Sequence, residues 1–151
     1  MNNELILRFA QKKDLKEIIC LCELHATFEQ SDYNPKQKKE QLSNYLFSDI
    51  PSLYCLVVEK DGELIGYATY MKQFSTWDTS FYVYMDCLFL TENARGYGIG
   101  EKLMERIKQE TKNLNCTLIQ WQTPKFNTRA MKFYDRIGGN SKTKERYFLN
   151  V

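Results

Sequence analysis

Glycines occupy every second position in the segment Arg95-Gly-Tyr-Gly-Ile-Gly100. An apolar run at residues 81–90 predicts a strand before this segment, and an amphipathic pattern at residues 100–114 predicts a helix after it. A Gly-rich loop between a strand and a helix directs backbone N–H groups and the positive end of the helix dipole at one point, which favours pyrophosphate binding. The spacing is neither that of a P-loop nor G-x-G-x-x-G. A tight turn that is merely rich in glycine is the alternative.

The patterns around this loop predict one domain, residues 1–151, of the α/β class with a mixed sheet and helices on its faces. A strand at residues 4–9 precedes a helix that an Asp14–Glu17 capping box opens, and Asn34-Pro35 opens a second helix through Leu46. Further strands are predicted at residues 53–59 and 63–71, joined by a hairpin turn at 61–62, and at 117–123 and 146–151. A last helix at residues 127–137 is stopped by two glycines at 138 and 139.

Composition excludes several classes of protein. The chain has 151 residues with 43% hydrophobic content, enough for one sizeable core, and its formal net charge is +2. This near-balance of charge argues against a nucleic-acid or membrane partner. No apolar stretch is long enough for a membrane span, and the five cysteines show no disulfide spacing, so we expect a reduced, cytoplasmic protein. Cys20, Cys22 and His25 lack the rest of a metal-ligand set, so no metal is expected.

A second motif lies downstream of the glycine loop. Asn127, Ala130 and Tyr134 fall on one stripe of the last predicted helix, with Asn127 at its N-terminus. A tyrosine that projects from that stripe can donate a proton. A core tyrosine packed beside Phe133 is the alternative interpretation of the same spacing.

Together these motifs resemble the GNAT superfamily of N-acetyltransferases. Arg95-x-x-Gly98-x-Gly100 is similar to its acetyl-CoA loop, and Asn127…Ala130…Phe133-Tyr134…Gly138 is similar to its C-terminal motif. Residues 84–90, Tyr-Met-Asp-Cys-Leu-Phe-Leu, resemble the catalytic strand of the diamine (spermidine/spermine) acetyltransferases and their bacterial relatives. The resemblance runs from about residue 53 to 148 and implies a twisted mixed sheet flanked by helices on both faces.

The resemblance implies a set of residues that bind acetyl-CoA, the co-substrate. The loop amides would hold the pyrophosphate, Arg95 would shape the loop, Leu88 and Leu90 would bond the pantetheine arm through their main chain, and Asn127 would contact that arm from the other side. The loop amides are those of Gly96, Gly98, Ile99 and Gly100.

The resemblance also implies two catalytic residues. Tyr134 matches the general acid that protonates the departing CoA thiolate, and Asp86 stands where the polyamine enzymes carry glutamate. Strand alternation predicts that Asp86 shares a face with Leu88, while Met85 and Cys87 lie on the other. Asp86 is therefore a base or acceptor-binding group, or else it only holds the strand in place. Because Cys87 is predicted to face away from Asp86, a cysteine-nucleophile mechanism is not favoured.

The implied reaction is direct transfer of the acetyl group to a primary amine of a small molecule. An alkyl ammonium must lose a proton before it attacks a thioester, and a ternary complex makes that attack intramolecular. A main-chain N–H of the catalytic strand would stabilise the oxyanion. Phe28, Glu29, Trp77 and Asp78 are candidates for a pocket that binds a cationic amine, with ordinary loop packing as the alternative.

A polyamine-like acceptor is favoured, and an antibiotic or amino acid amine is the alternative. A non-catalytic CoA-binding protein of the same fold is a further hypothesis, which the presence of both Tyr134 and Asp86 disfavours. A nucleic-acid-binding module is disfavoured by the lack of a basic stripe. Relatives pair through edge strands, and the apolar tail at residues 147–149 could join a partner's sheet, so we expect a homodimer.

Overall fold

A computed structural model describes residues 4–151. Five strands form one sheet in the order β1-β2-β3-β4-β5, in which only the β4–β5 pair is parallel. The strands are β1 (Leu5–Phe9), β2 (Tyr54–Lys60), β3 (Glu63–Ser75), β4 (Ser80–Leu90) and β5 (Ile119–Gln120). The helices are α1 (Leu15–Phe28), α2 (Lys38–Leu46), α3 (Ile99–Asn113) and α4 (Thr128–Arg136).

Helices cover both faces of the sheet, which confirms the predicted mixed architecture. On one face, Leu103 and Ile107 of α3 pack fully buried against Leu56 and Val83 of the sheet, with α4 beside them. On the other face, the buried Ile18 of α1 belongs to a second core that also includes residues of α2 and the sheet. The two apolar cores place the N-terminus of α3 and the whole of α4 on the same side of β4.

The hairpin between β2 and β3 confirms the prediction from its turn residues. Asp61 and Gly62 both have left-handed backbone angles, with φ of 53° and 84°, as a two-residue hairpin turn requires. β3 runs past the predicted residue 71 to Ser75, because it pairs with β4 as far as Ser80. Phe74 and Phe81 lie opposite each other at the far end of this pair with their rings edge to face.

The capping box predicted for α1 and the start predicted for α2 are both wrong. α1 begins at Leu15 as expected, but no Asp14–Glu17 capping box forms: Asp14 binds Arg8, and a Glu17 carboxylate oxygen accepts from the Leu64 N–H at 3.0 Å. Partners on β1 and β3 therefore take both carboxylates away from the predicted cap. α2 begins at Lys38 and not at Asn34-Pro35, because Gln37 adopts a left-handed conformation with φ of 64° that a helix cannot continue through.

The predicted alternation along β4 is wrong at one point, where the strand carries a β-bulge. Cys87 lies opposite Thr69 and Met85 lies opposite the next residue of β3, so Asp86 is the extra residue. The bulge interrupts the alternation of side chains between the two faces of the sheet at Asp86. Met85 therefore shares its core with Leu88, against α3 and α4, while Cys87 packs toward α1 on the other face.

The C-terminal strands are shorter than predicted. Of the predicted strand at 117–123, only Ile119 and Gln120 pair with β4, after which the chain leaves the sheet. The predicted strand at 146–151 does not form: these residues have no regular secondary structure, and Tyr147 and Leu149 are 90% and 89% exposed. A strand needs a partner edge, and within this one chain the tail does not reach one. In the described part of the chain, no helix is long and apolar enough to cross a membrane.

Candidate active site

A cavity of ≈ 690 Å³ lies beside the C-terminal half of β4. The end of α1, the glycine loop, the N-terminus of α3 and one side of α4 enclose it together with residues 121–123. Nearly all of the predicted site residues line it: Phe28, Glu29, Asp86, Leu88, Leu90, Arg95, Gly96, Gly98, Ile99, Gly100, Asn127 and Tyr134.

The glycine loop places the uncapped N-terminus of α3 at the cavity. Gly98 is the N-cap residue of α3 and has a φ of 74°, which L side chains rarely adopt, and no atom lies within 4 Å of the position a Cβ would take. No side chain caps the helix, so its first backbone N–H groups point outward without intrahelical partners. This end of the cavity therefore offers N–H donors and a positive dipole end to an anion.

The edge of β4 that faces the cavity is unpaired beyond Tyr84, where β5 ends. The Thr91 N–H donates to the Ile65 carbonyl at 2.9 Å on the β3 side. Because backbone groups alternate along a strand, Leu88 and Leu90 direct theirs at the opposite edge, where the Leu90 carbonyl already accepts from Arg95. An extended ligand can bond this edge as an added strand would.

Arg95 ties the loop to β4. Its Nε donates to the Leu90 carbonyl at 2.9 Å, and its guanidinium lies 4.3 Å from the ring centroid of Phe28 and 5.4 Å from that of Phe89. These contacts connect the glycine loop, the strand and the end of α1 around one side chain. The guanidinium thus fixes the loop against both walls of the cavity.

Asn127 and α4 form the wall opposite the strand. The Oδ1 atom of Asn127 accepts from the Ala130 N–H at 3.2 Å, so this side chain caps the helix. Three cations on α4, Arg129, Lys132 and Arg136, also line the cavity, although the sequence analysis did not single them out. Their spacing of three and four residues, which places them along one helix face, was the available signal.

Tyr134 lies on α4 with its ring packed edge to face on Trp121, at 5.1 Å between centroids. Burial raises the pKa of Tyr134 to about 12, and the negative charge of Glu29 adds to the rise. The phenol therefore keeps its proton throughout the neutral range and is available as a donor. Trp121, which fixes the ring, was missed by the sequence analysis because it lies outside both motifs.

The bulge turns Asp86 into the cavity, where its side chain is exposed. Exposure removes the desolvation cost that a carboxylate in an apolar strand would otherwise carry. Contrary to the alternation argument, Cys87 does not point fully away: its thiol lies 3.8 Å from a carboxylate oxygen of Asp86. Burial, followed by the charge of Asp86, raises the pKa of Cys87 to about 12, so it remains a thiol and a poor nucleophile.

The four candidate acceptor-binding residues separate into two pairs. Phe28 and Glu29 lie at the end of α1 and line the cavity. Trp77 and Asp78 lie in the turn between β3 and β4, outside the lining residues; Trp77 is 95% exposed and Asp78 bonds Ser75.

His25 is a cavity residue that the sequence analysis weighed only as a metal ligand. Its Nε2 lies 3.2 Å from a Glu29 carboxylate oxygen and its Nδ1 lies 2.9 Å from the Tyr67 hydroxyl. The signal that could have found it is its place four residues before Glu29 on a helix. Among residues 4–151, no group of three or more His, Cys, Asp or Glu side chains is placed to hold a metal ion.

Comparison with known proteins identifies related sequences. The model of the acetyltransferase (GNAT) family matches residues 18–139. A thialysine N-epsilon-acetyltransferase of Mus musculus is 27% identical over 152 residues, covering 95% of this chain and 89% of that protein. A D-amino-acid N-acetyltransferase of Saccharomyces cerevisiae is 24% identical over 138 residues, covering 91% and 86%.

Solved structures show the same fold. An aminoglycoside N-acetyltransferase, AAC(6')-Iy in complex with CoA, superposes with a TM-score of 0.82 at 17% identity, covering 99% of this chain and 97% of that one. An integron cassette protein of V. cholerae gives a TM-score of 0.73 at 25% identity, covering 97% and 92%. The first similarity concerns the fold alone.

Proposed function

The chain belongs to the acetyltransferase (GNAT) family and is an acetyl-transferring enzyme that acts on amines, and we propose that it moves the acetyl group of acetyl-CoA directly onto a primary amine of a small cationic molecule. The observation that carries this proposal is that one cavity is lined both by backbone N–H donors with basic side chains and by the carboxylates of Glu29 and Asp86. We assign the first group to a co-substrate end, and the two carboxylates, which both act on His25, to an acceptor end.

The first end suits an anionic, extended co-substrate. The N-terminus of α3 and the three α4 cations complement phosphate groups, and the open β4 edge complements an amide-containing arm. Gly98 leaves room for close approach, since nothing occupies the space beside its Cα. Acetyl-CoA supplies the activated thioester when bound, and these residues bind and orient it.

The second end suits an ammonium group. Glu29 and Asp86 attract the cation, and Phe28 adds an apolar contact for its hydrocarbon part. In this proposal Asp86 takes the amine proton, through a water where its short side chain does not reach. Tyr134 lies close enough to Glu29 for its titration to be affected by that carboxylate, so the proton donor and the acceptor-binding end adjoin.

A polyamine-like acceptor is favoured among amines because two carboxylates face one cavity end. A relative named spermidine/spermine N(1)-acetyltransferase-like protein 1 of Homo sapiens is 25% identical over 139 residues, covering 87% of this chain and 20% of that protein. The relatives named for thialysine and D-amino acids keep an amino acid acceptor as the second candidate.

Release of CoA thiol from acetyl-CoA tests the proposal. Spermidine, thialysine, a D-amino acid and kanamycin are offered separately, and the acetylated product is identified by mass spectrometry. We expect stoichiometric thiol and N-acetyl amine, fastest with spermidine. Release only by slow hydrolysis, equal with and without every amine, would overturn the small-amine proposal.

Replacing Gly98 by valine is expected to abolish the rise in melting temperature that acetyl-CoA causes, because a β-branched residue is strained at a φ of 74° and blocks the approach of the phosphates. Gly62→Val is the matched control: its φ is 84°, its Cβ position is equally empty and it lies in the β2–β3 turn away from the cavity. Both variants lose stability, but only Gly98→Val loses the acetyl-CoA shift. ATP and NAD should shift the wild type far less, and equal shifts with all three would refute acetyl-CoA as the co-substrate.

Asp86→Asn is expected to move the pH–rate profile so that activity returns at higher pH, where more of the amine is already neutral. If Asp86 only stabilises the bulge, the variant melts at a lower temperature and its activity does not return at high pH. Glu92→Gln, an exposed carboxylate outside the cavity lining, is the control for loss of one negative charge.

We also propose that the enzyme is a cytoplasmic homodimer, in which the exposed tail pairs with an edge strand of a second copy.

A further inference from the structure

The chain has a single histidine, His25, and the structure buries it at the acceptor end of the cavity. Its side chain is 13% exposed. The imidazole is stacked on the Phe89 ring, with centroids 5.0 Å apart and planes at 20°. With its two hydrogen bonds, to Tyr67 and Glu29, the ring is held on three sides, so its orientation is determined.

Titratable groups face His25 from every element around it. Glu29 directly follows α1, Tyr67 lies on β3, Asp86 on β4 and Arg95 in the glycine loop. Cys22 and Cys87 lie around the same Tyr67 hydroxyl. Burial is the largest effect and lowers the pKa of His25, whereas Glu29 and Asp86 oppose it and Arg95 supports it.

The hydrogen bonds determine which imidazole nitrogen carries the proton. A carboxylate only accepts, so the Nε2 of His25 must donate to Glu29. In the neutral ring Nδ1 is then an acceptor, and the Tyr67 hydroxyl donates to it. Burial raises the pKa of Tyr67 far above its usual range, so this hydroxyl keeps its proton. The chain of donors therefore runs in one direction, from Tyr67 through His25 to Glu29.

We propose that His25 is a positioning residue of the acceptor site, which aims the Glu29 carboxylate at the acceptor ammonium while its neutral ring adds no positive charge. This rests on the proposed function, in which the acceptor is a cationic amine. One Glu29 oxygen is held by His25 and the other is left for the cation. A protonated imidazole would repel the ammonium and neutralise Glu29, so acceptor binding weakens as the pH falls through the pKa of His25.

Kinetics of His25 variants test the role. His25→Ala is expected to raise KM for spermidine on the order of tenfold, the worth of a hydrogen bond to a charged group, with kcat and KM for acetyl-CoA little changed. His25→Gln keeps an amide donor near the Nε2 position but does not titrate. It should retain most of the affinity and lose the extra fall in kcat/KM that we expect of the wild type as the pH drops through the lowered pKa of His25. Cys20→Ser, at an exposed position on α1, is the control.

Nuclear magnetic resonance of the single imidazole tests the geometry without turnover. The nitrogen chemical shifts should show a neutral ring protonated at Nε2 with a pKa below 6.5, and Glu29→Gln should lower that pKa further because the carboxylate no longer supports the charged form. Spermidine should perturb these signals in the wild type.

The outcomes separate this role from the function itself. If no amine is acetylated by the wild type, the proposed function fails, whatever the imidazole signals show. If the wild type turns over but His25→Ala leaves KM for the amine unchanged, or the ring is protonated at Nδ1, the positioning role is overturned. A fall in kcat alone, with normal KM, would instead make His25 part of the proton-transfer step and also contradict the proposal. If His25→Ala is too unstable to assay, the KM of His25→Gln for spermidine and the nitrogen chemical shifts of the wild-type imidazole test the positioning role instead.

Discussion

Replacing Tyr134 by phenylalanine is expected to lower kcat by about 10²–10⁴-fold, the usual contribution of general acid catalysis. The phenol has a pKa of about 12, so it is protonated throughout the neutral range. The CoA thiolate would leave into the same desolvated cavity, where burial makes it a stronger base than in water. Removal of the hydroxyl leaves that thiolate without a donor.

The variant should bind acetyl-CoA nearly as well as the wild type, because phenylalanine keeps the edge-to-face packing on Trp121 and the loop amides are untouched. Binding is measured by the shift in melting temperature. Tyr82→Phe, which loses a hydroxyl that donates to Gln73 outside the cavity lining, is the control and should keep full activity. A kcat within a few-fold of the wild type for Tyr134→Phe would exclude the acid role.

Replacing Arg8 by methionine is expected to destabilise the fold by about 3 kcal/mol, the lower end for breaking a buried ion pair. Arg8 donates to both carboxylate oxygens of Asp14, at 2.6 and 3.0 Å, and also binds Glu59 at 2.6 Å. Asp14 is 3% exposed, so its carboxylate would be left buried without its cation. We expect a loss at the lower end of the range for buried ion pairs because the Arg8 and Glu59 side chains are each 20% exposed to water.

Thermal unfolding measures this loss, which corresponds to about 6–12 °C for a domain of this size. Lys108→Met breaks an exposed pair with Glu105 and should change stability by less than about 1 kcal/mol. Arg8 is the main cause that lowers the pKa of Asp14. The folded-state pKa lies below the unfolded value, so the stabilisation is present above about pH 4 and is lost as the pH falls through the folded pKa. The gap between wild type and Arg8→Met should therefore close in acid; a gap constant down to pH 2 would refute the ion-pair explanation.

Turn residues and hydrophobic periodicity predicted the elements whose structure depends on residues close in sequence. Gly98 and the periodic pattern after it located α3 to within one residue, and the Asp61-Gly62 turn located the hairpin. The prediction that Leu88, Asn127 and Tyr134 all lie around one co-substrate depended on the family resemblance. Periodicity alone does not bring those elements together.

Tertiary contacts decided the parts that the sequence analysis missed. The Asp86 bulge shows only in the pairing of β4 with β3, and it reverses which face Met85 occupies. The Asp14–Glu17 cap lost to Arg8 and to the Leu64 N–H, which lie far away in sequence or on another element. His25 gains its role from Tyr67, which is 42 residues away and cannot be paired with it by spacing.

The arrangement of donor and acceptor ends in one cavity is tested most directly by initial rates measured with acetyl-CoA and spermidine both varied. Direct transfer in a ternary complex predicts intersecting lines in the double-reciprocal plot, and intact-mass spectrometry should find no acetylated protein when acetyl-CoA is present without amine. Parallel lines, together with an acetyl group on Cys87, would contradict the account, because the acetyl group would then pass through a covalent enzyme intermediate.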